Sequence, residues 1–309
     1  MSPSRRDLLR AGLGATAGAA FGALPSVADA APIAASHEGA TPTHAPGIVA
    51  QQGTMTFAPR FRQSVARWCF ASTPIDALCR EAKRVGLHAI DLLSEDEWSV
   101  PARHGLACAI ANGPGPIPDG WNTVANHDRL VAESERLLPR IAAAGIPQMI
   151  VFSGNRRGLS DAEGIANCVK GLRRILPLAE RLGVTITMEL LNSKVDHRDY
   201  QADRTPFGVA IAEALGSSRF TLLYDIYHMQ IMEGDVVRTI ETYHRYIGHY
   251  HTAGVPGRHE LDTTQELFYP RIAKAIADTG FTGYVAHEFL PTTAGFATLQ
   301  DAQRIFAGA

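Results

Sequence analysis

Three apolar runs decide the fold: Val184-Thr-Ile-Thr-Met-Glu-Leu190, Phe220-Thr-Leu-Leu-Tyr-Asp-Ile226 and Gly248-His-Tyr-His-Thr252. Each has the length of a strand and ends near turn residues, and helix-period segments over 206–215 and 235–246 separate them. Strand and helix in alternation imply a parallel sheet. The alternation extends in both directions. Upstream runs are Ser64–Phe70, Ala89–Leu93, Leu106–Ala111 and Gln148–Phe152. Helices are predicted over 74–85 and 126–144, and one long helix runs from a Ser160 cap to Leu182. Downstream, helices over 265–279 and 295–306 flank an eighth run, Tyr284–Phe289. Eight such units in residues 57–309, a stretch of 253 residues, predict an α/β fold closed as a TIM (β/α)8 barrel. An open doubly wound sheet would put a glycine-rich phosphate loop after its first strand, but the chain there reads Ala71-Ser-Thr-Pro-Ile75. No P-loop or G-x-S-x-G elbow occurs elsewhere.

A barrel gathers its chemistry at the C-terminal ends of several strands. Glu189 stands near the end of run five, Asp225 near the end of run six, His249 and His251 on run seven, and His287 and Glu288 on run eight. Each has a plain structural reading by itself: Glu189 paired with a buried cation, Asp225 capping a turn, His251 a hydrogen-bonded core histidine. Their coincidence on four neighbouring strands favours a common site. Converging carboxylates repel one another and take up protons unless a cation balances them. Three carboxylates and one imidazole make a mostly oxygen donor set suited to Mg²⁺ or Mn²⁺, with Co²⁺ and Zn²⁺ also open. His249 and His251 share a strand face; His251 lies nearer the C-terminal end and is the expected ligand, with His249 as support beneath it. His287 faces opposite to Glu288 and is expected to be structural. Trp68 and Phe70, placed on one face at the end of run one, are candidates for a pocket wall, as are Asn112 and Trp121 from the third loop.

Composition narrows the function classes. The net charge is −2, from 29 basic and 31 acidic residues, so no basic excess exists to neutralise nucleic acid. Residues 1–30 carry Arg5-Arg6, Leu8-Leu9-Arg10, an Ala/Gly-rich apolar stretch and Ala28-Asp29-Ala30, the order of a secretory signal. The paired arginines resemble a twin-arginine export signal. That implies passage through the twin-arginine machinery, cleavage near Ala30 and a periplasmic or extracytoplasmic product. The apolar stretch is shorter than the ~20 residues of a membrane span. Cleavage removes three arginines and two aspartates and takes the charge from −2 to −3. Residues 31–56, rich in Ala, Pro, Thr, Ser and His, are expected to form a flexible linker. Cys69, Cys79, Cys108 and Cys168 show no paired spacing, and four free, mostly buried thiols are expected.

Several strings resemble the hydroxypyruvate isomerase family of xylose isomerase-like barrels. They are Glu189-Leu-Leu-Asn192, Tyr224-Asp-Ile-Tyr-His-Met-Gln230 with Glu233-Gly234, Ile247-Gly-His-Tyr-His251, Val255-Pro-Gly-Arg-His-Glu260 and His287-Glu-Phe289. The resemblance spans residues 57–309. It implies one divalent metal held by Glu189, Asp225, His251 and Glu288, with Glu189 and Glu288 also as the acid–base pair. His228 would touch a substrate hydroxyl or carbonyl, Arg258 would reach substrate oxygens, and Glu260 would hold Arg258 or His228. Trp68 would wall the substrate pocket. The implied reaction converts hydroxypyruvate to tartronate semialdehyde by proton transfer through an enediolate. His251 departs from well-known hydroxypyruvate isomerases, which carry Gln there, and matches the sugar epimerases. Ketose 3-epimerase and inosose dehydratase activities therefore compete, as do an endonuclease-IV-like nuclease, which a charge of −3 opposes, and a non-catalytic periplasmic sugar-binding barrel. The expected partner is a small hydroxy-carbonyl substrate; the oligomeric state, a homo-oligomer included, is left open.

Overall fold

The computed structural model describes residues 61–309. The expected signal over 1–30, the linker over 31–56 and the start of the barrel at residue 57 lie outside the described residues. Eight strands follow in chain order: β1 Arg62–Ala66, β2 Ala89–Asp91, β3 Ala107–Cys108, β4 Gln148–Val151, β5 Thr185–Leu190, β6 Phe220–Asp225, β7 Ile247–Thr252 and β8 Tyr284–His287. They form one parallel sheet in the order β3-β2-β1-β8-β7-β6-β5-β4. Helices connect the strands, as the alternation predicts, and the fold is a TIM-type α/β barrel.

The two ends of that sheet, β3 and β4, meet through a single residue. Ala111 N donates to Gln148 O at 2.9 Å, and Ile150 N donates to Ala111 O at 3.0 Å. Ala111 also bridges Leu93 on its other side. Three residues past the short β3, Ala111 thus joins the segments on both sides. Gly113 lies just beyond, against the Ile150 carbonyl, where a Cβ would overlap backbone.

Several elements differ from the sequence reading, each for a local reason. Run one ends as a strand at Ala66, and Arg67–Phe70 turn as a 3₁₀ helix. Trp68 and Phe70 therefore do not share a strand face: Trp68 is 41% exposed, while Phe70 is buried and stacks on Phe296 at 5.7 Å between centroids. The helix expected over 160–182 is two, Asp161–Leu172 and Leu176–Leu182. Pro177 stands in the first turn of the second, where its missing N–H costs nothing. Ser160 does cap the first, in a capping box with Glu163. A helix over Ile226–Met232 starts directly after β6 with no linker, because the Asp225 side chain accepts the His228 N–H and caps it. Trp121 is fully buried in the core, away from the pocket. The four cysteines are free, and three are buried.

The strand register places the polar residues. Glu189 pairs with Leu223, Leu223 with His249, and His249 with Tyr284, one line across four strands. One step further along the same face, Asp225 pairs with His251 and His251 with Ala286. Continuing that line, Ala286 pairs with Ser64 and Ser64 with Ala89. These small residues leave room along the axis for the imidazoles of β7 and the carboxylate that ends β2.

Because the Ile150 carbonyl cannot yield without breaking the β3–β4 seam, Gly113→Ala should destabilise the protein by about 2 kcal/mol or more. A lowered urea midpoint with unchanged slope would register this; an unchanged midpoint would show that the seam is soft.

Candidate active site

Glu189, Asp225, His251 and Glu288 converge at the C-terminal mouth of the barrel. All four are buried, and one donor atom from each lies within 4.8 Å of all the others. His251 Nδ1 is 3.2 Å from Glu189 Oε1 and 3.0 Å from Glu288 Oε2. Strand tilt accounts for the gathering: Glu189 is two residues behind Asp225 in register, and Glu288 is one residue past β8, yet the side chains meet.

Arg258 supplies positive charge to this cluster. Its Nη2 donates to Glu288 Oε2 at 2.5 Å and to Asp225 Oδ2 at 3.4 Å. The guanidinium lies over the rings of Trp68 and Tyr227, 5.0 and 5.3 Å from their centroids. Arg258 holds a left-handed backbone with φ of 60°, rare for a residue with a side chain. Its N–H donates to Gly254 O at 2.9 Å, and its carbonyl accepts from Leu290 N at 2.7 Å, so the loop after β7 is tied at this residue. Trp68 Nε1 donates to the other oxygen of Glu288 at 2.7 Å.

Charge balance follows from burial and these contacts. Burial works against a charge on Glu288, but His251 and Arg258 outweigh it and hold the carboxyl well below the usual range. Burial pushes Asp225 up to about 7, with Arg258 pulling the other way. Burial also opposes a charge on His251, yet Glu288, Asp91 and Glu189 raise it well above an ordinary histidine. Burial keeps His228 neutral. Without another cation, the site therefore carries Arg258 and a protonated His251 against its carboxylates. The donor set fits a divalent ion on this ground: three carboxylates and an imidazole nitrogen already share one buried space and require positive charge.

His228 sits beside the cluster, with Nε2 3.5 Å from Asp225 Oδ2. Its Nδ1 faces Asn192 Nδ2 at 2.6 Å, so that nitrogen accepts and the proton belongs on Nε2, which has no other partner among the described residues. Asp225 thus has both readings the sequence allowed: it caps a helix and it faces the cluster. His249 lies deeper, hydrogen-bonded to Asp91 Oδ2 at 2.6 Å. His287 is buried on the other face between Thr252 and Gln63.

Glu260 does not hold Arg258 or His228. Both of its oxygens accept from Thr292, the backbone N–H at 2.6 Å and the hydroxyl at 3.1 Å, so it fastens the loop after β8.

A cavity of about 320 Å³ opens above the cluster. Glu189, Glu288 and Arg258 form one side of it; Trp68, Phe152 and Ile150 are among its walls, and Asn112 and His197 also reach it. The sequence reading passed over two residues here. Asp91 carried the same signal as the other carboxylates, an acid inside an apolar run. His197 lies on the irregular segment after β5 and carried no signal.

Residues 100–305 match the xylose isomerase-like TIM barrel family. The chain belongs to that family. A putative hydroxypyruvate isomerase of Mus musculus is 30% identical over 233 residues, 75% of this chain and 80% of the relative. The 2-oxo-tetronate isomerase of Cupriavidus necator is 36% identical over 121 residues, 38% of this chain and 46% of that one. Among solved structures, an AP endonuclease, family 2, from Brucella melitensis superposes with a TM-score of 0.69 at 22% identity, covering 77% of this chain and 97% of that one. At that identity the superposition shows the fold alone, while the sequence relatives place the barrel beside the hydroxypyruvate isomerases.

Arg258→Met should destabilise the metal-free protein by about 3 kcal/mol at pH 8, because it leaves buried carboxylates without their partner. The loss should shrink at pH 5.5, where Asp225, raised to about 7, is protonated and no longer needs the guanidinium. Urea denaturation in chelator at both pH values measures this; an equal loss at both would disconnect Arg258 from Asp225 and leave Glu288 as its partner.

Proposed function

We propose that the protein is a divalent-metal-dependent isomerase of a short 2-oxo acid or sugar, best read as a hydroxypyruvate isomerase. The observation that carries the reading is the approach of Glu189 from β5 and Glu288 from β8 to the same nitrogen of His251, at 3.2 and 3.0 Å, at the base of the cavity. Two carboxylates from different strands, close together at one side of the cavity, suit removal of a proton from one carbon and its return to the next. The isomerase names of the two sequence relatives support the same reaction class.

Glu189, Asp225, His251 and Glu288 would hold the ion, with Mg²⁺ or Mn²⁺ the best match to the donors. When bound, it supplies Lewis-acid stabilisation to the negative charge that develops on the substrate oxygens. The side chains of the protein do the rest. One glutamate removes a proton from C3 of hydroxypyruvate. The C3–H electron pair becomes the C2–C3 double bond, and the C2 carbonyl becomes an oxyanion. The other glutamate, protonated at the outset, delivers its proton to C2 while the O3 proton passes to the C2 oxyanion, which leaves the C3 aldehyde and C2 hydroxyl of tartronate semialdehyde; exchange with solvent then restores the two glutamates. His228, neutral and with its proton on Nε2 beside Asp225, would donate to a substrate oxygen that reaches the cluster. Arg258 is the one Lys or Arg among the residues lining the cavity, and it offers its guanidinium to the substrate carboxylate. Trp68 orients Glu288 through its indole N–H.

The cavity wall bears on substrate choice. Leu92, Ile117, Ile150, Phe152 and Leu191 offer no side-chain hydrogen bonds. A hexose would leave hydroxyls unpaired against them, at a cost of about 1–3 kcal/mol each. A three- or four-carbon oxo acid presents its polar groups to Arg258 and the carboxylates, which favours it over a ketohexose. His251, shared in type with the sugar epimerases, is neutral on this point, since either imidazole or amide can serve as the fourth donor.

Glu189→Gln and Glu288→Gln should each lower turnover of hydroxypyruvate by at least 10²–10⁴-fold, and chelation should abolish it until Mn²⁺ is restored. Solvent deuterium uptake into the product is the measurement; full activity in either variant would sink the assignment. We further propose that Arg5-Arg6 directs export by the twin-arginine machinery with cleavage near Ala30. Arg5→Lys together with Arg6→Lys should then retain an uncut precursor in the cytoplasm on fractionation, and normal processing of that variant would refute the route.

A further inference from the structure

We propose that Asp91 is a positioning residue for this site: held by His249, it receives the Nε2–H of His251 and turns the Nδ1 lone pair of that ring toward Glu189 and Glu288. The proposal rests on the reading of Glu189, Asp225, His251 and Glu288 as the ligands of one cation.

Asp91 closes the three-residue β2 and is fully buried. Its Oδ2 lies 2.6 Å from His249 Nε2 and 3.6 Å from His251 Nε2. The two imidazoles stand edge to face, 5.3 Å apart at 83°, so both Nε2 edges address one carboxylate. Asp91 Oδ1 and His251 Nε2 have no hydrogen-bond partner among the described residues. A buried N–H without a partner is costly, and the Asp91 oxygen that approaches this one is Oδ2, which His249 already holds. Shifting either group by roughly 0.7 Å turns the 3.6 Å approach into an ordinary hydrogen bond.

A neutral imidazole donates from one nitrogen and accepts at the other. With the proton on Nε2, bonded to Asp91, Nδ1 presents a lone pair to two carboxylate oxygens 3.2 and 3.0 Å away. In the metal-free site a second proton on Nδ1 fills that space; a bound cation takes its place, while Nε2 keeps the proton directed at Asp91. The opposite arrangement, Nδ1–H toward Glu288, would set the Nε2 lone pair against Asp91. The charge of Asp91 thus selects the form of His251 that can coordinate, as outer partners of metal-bound histidines do generally. Fold stability alone does not call for this carboxylate, since an apolar pair of similar volume fills such a layer at little or no net cost.

Asp91, His249 and His251 also group closely enough to suggest a second ion. The 2.6 Å approach of Asp91 to His249 speaks for a hydrogen bond there, because ligand atoms each about 2.0–2.2 Å from one ion sit about 3 Å or more apart.

Calorimetric titration of the metal-free full-length protein with Mn²⁺ tests the proposal. The wild type should bind one Mn²⁺ per chain, and Asp91→Asn should bind it 10–100-fold more weakly. Equal affinity in the variant overturns the positioning role. So does a wild-type stoichiometry of two that falls to one in the variant, which would make Asp91 a ligand. Absence of Mn²⁺ binding by the wild type removes the metal site itself, a failure distinct from the other two. Should Asp91→Asn not fold, the wild type decides alone. With Mg²⁺ bound, ¹⁵N-labelled histidine should show a slowly exchanging proton on His251 Nε2, and an unprotonated Nε2 overturns the proposal.

Discussion

Three carboxylates buried in a common space demand positive charge, and much of the molecule is arranged to supply it. Glu189, Asp225 and Glu288 come from three strands and share one donor cluster with His251. Arg258 reaches two of them, and the cluster drives His251 toward its protonated form. The loop after β7 holds a left-handed backbone at Arg258 to deliver that guanidinium, and Trp68 and Tyr227 flank it with their ring faces. Trp68 in turn reaches Glu288 only because β1 stops at Ala66 and the chain coils tightly. One electrostatic requirement thus connects the ends of β5, β6 and β8 with the loops after β1 and β7.

The same requirement explains an uneven barrel interior. Ala286, Ser64 and Ala89 follow His251 in register and are small. Larger apolar side chains there would pack the barrel more tightly but would displace His249, His251 and Asp91 from the axis. Stability comes instead from the large core between the sheet and the outer helices and from the closed ring of strands. The closure has one thin point, the single-residue link through Ala111, which lies next to Asn112 at the cavity.

Much of this was legible in the chain. Apolar runs spaced by helical segments specify a parallel barrel, and an acid near the end of an apolar run marks a strand end that faces the mouth. Period-two alternation put His249 and His251 on one face and His287 opposite Glu288, and distance along the strand distinguished His251 from His249. What stayed hidden depends on contacts between distant residues. Asp91 and His249 are 158 positions apart, and no local pattern announces their pairing. Glu260 sits in the same short string as Arg258, yet Thr292 captures it from another loop. The helix over Ile226–Met232 was obscured for the opposite reason: the strand passes into it without a single linker residue, so its residues read as strand and tail.

That direct passage ties local folding to chemistry. Asp225 ends β6, caps the next helix by accepting from His228 N, and offers its other oxygen to Arg258 and His228 Nε2. The first turn of the helix therefore has its orientation set by a residue of the cluster. His228 is fixed from the far side by Asn192, whose amide oxygen accepts from Val195 and Asp196 N–H and whose amide nitrogen also bonds the Asp196 carboxylate. With its oxygen committed to two backbone donors, Asn192 can present only its NH₂ group to His228 Nδ1, and the proton of that imidazole is confined to the edge facing the site. The tautomer of His228 is in this way set by the turn after β5 and its position by the cap after β6, so two separate segments determine which hydrogen-bonding group it presents beside the cluster.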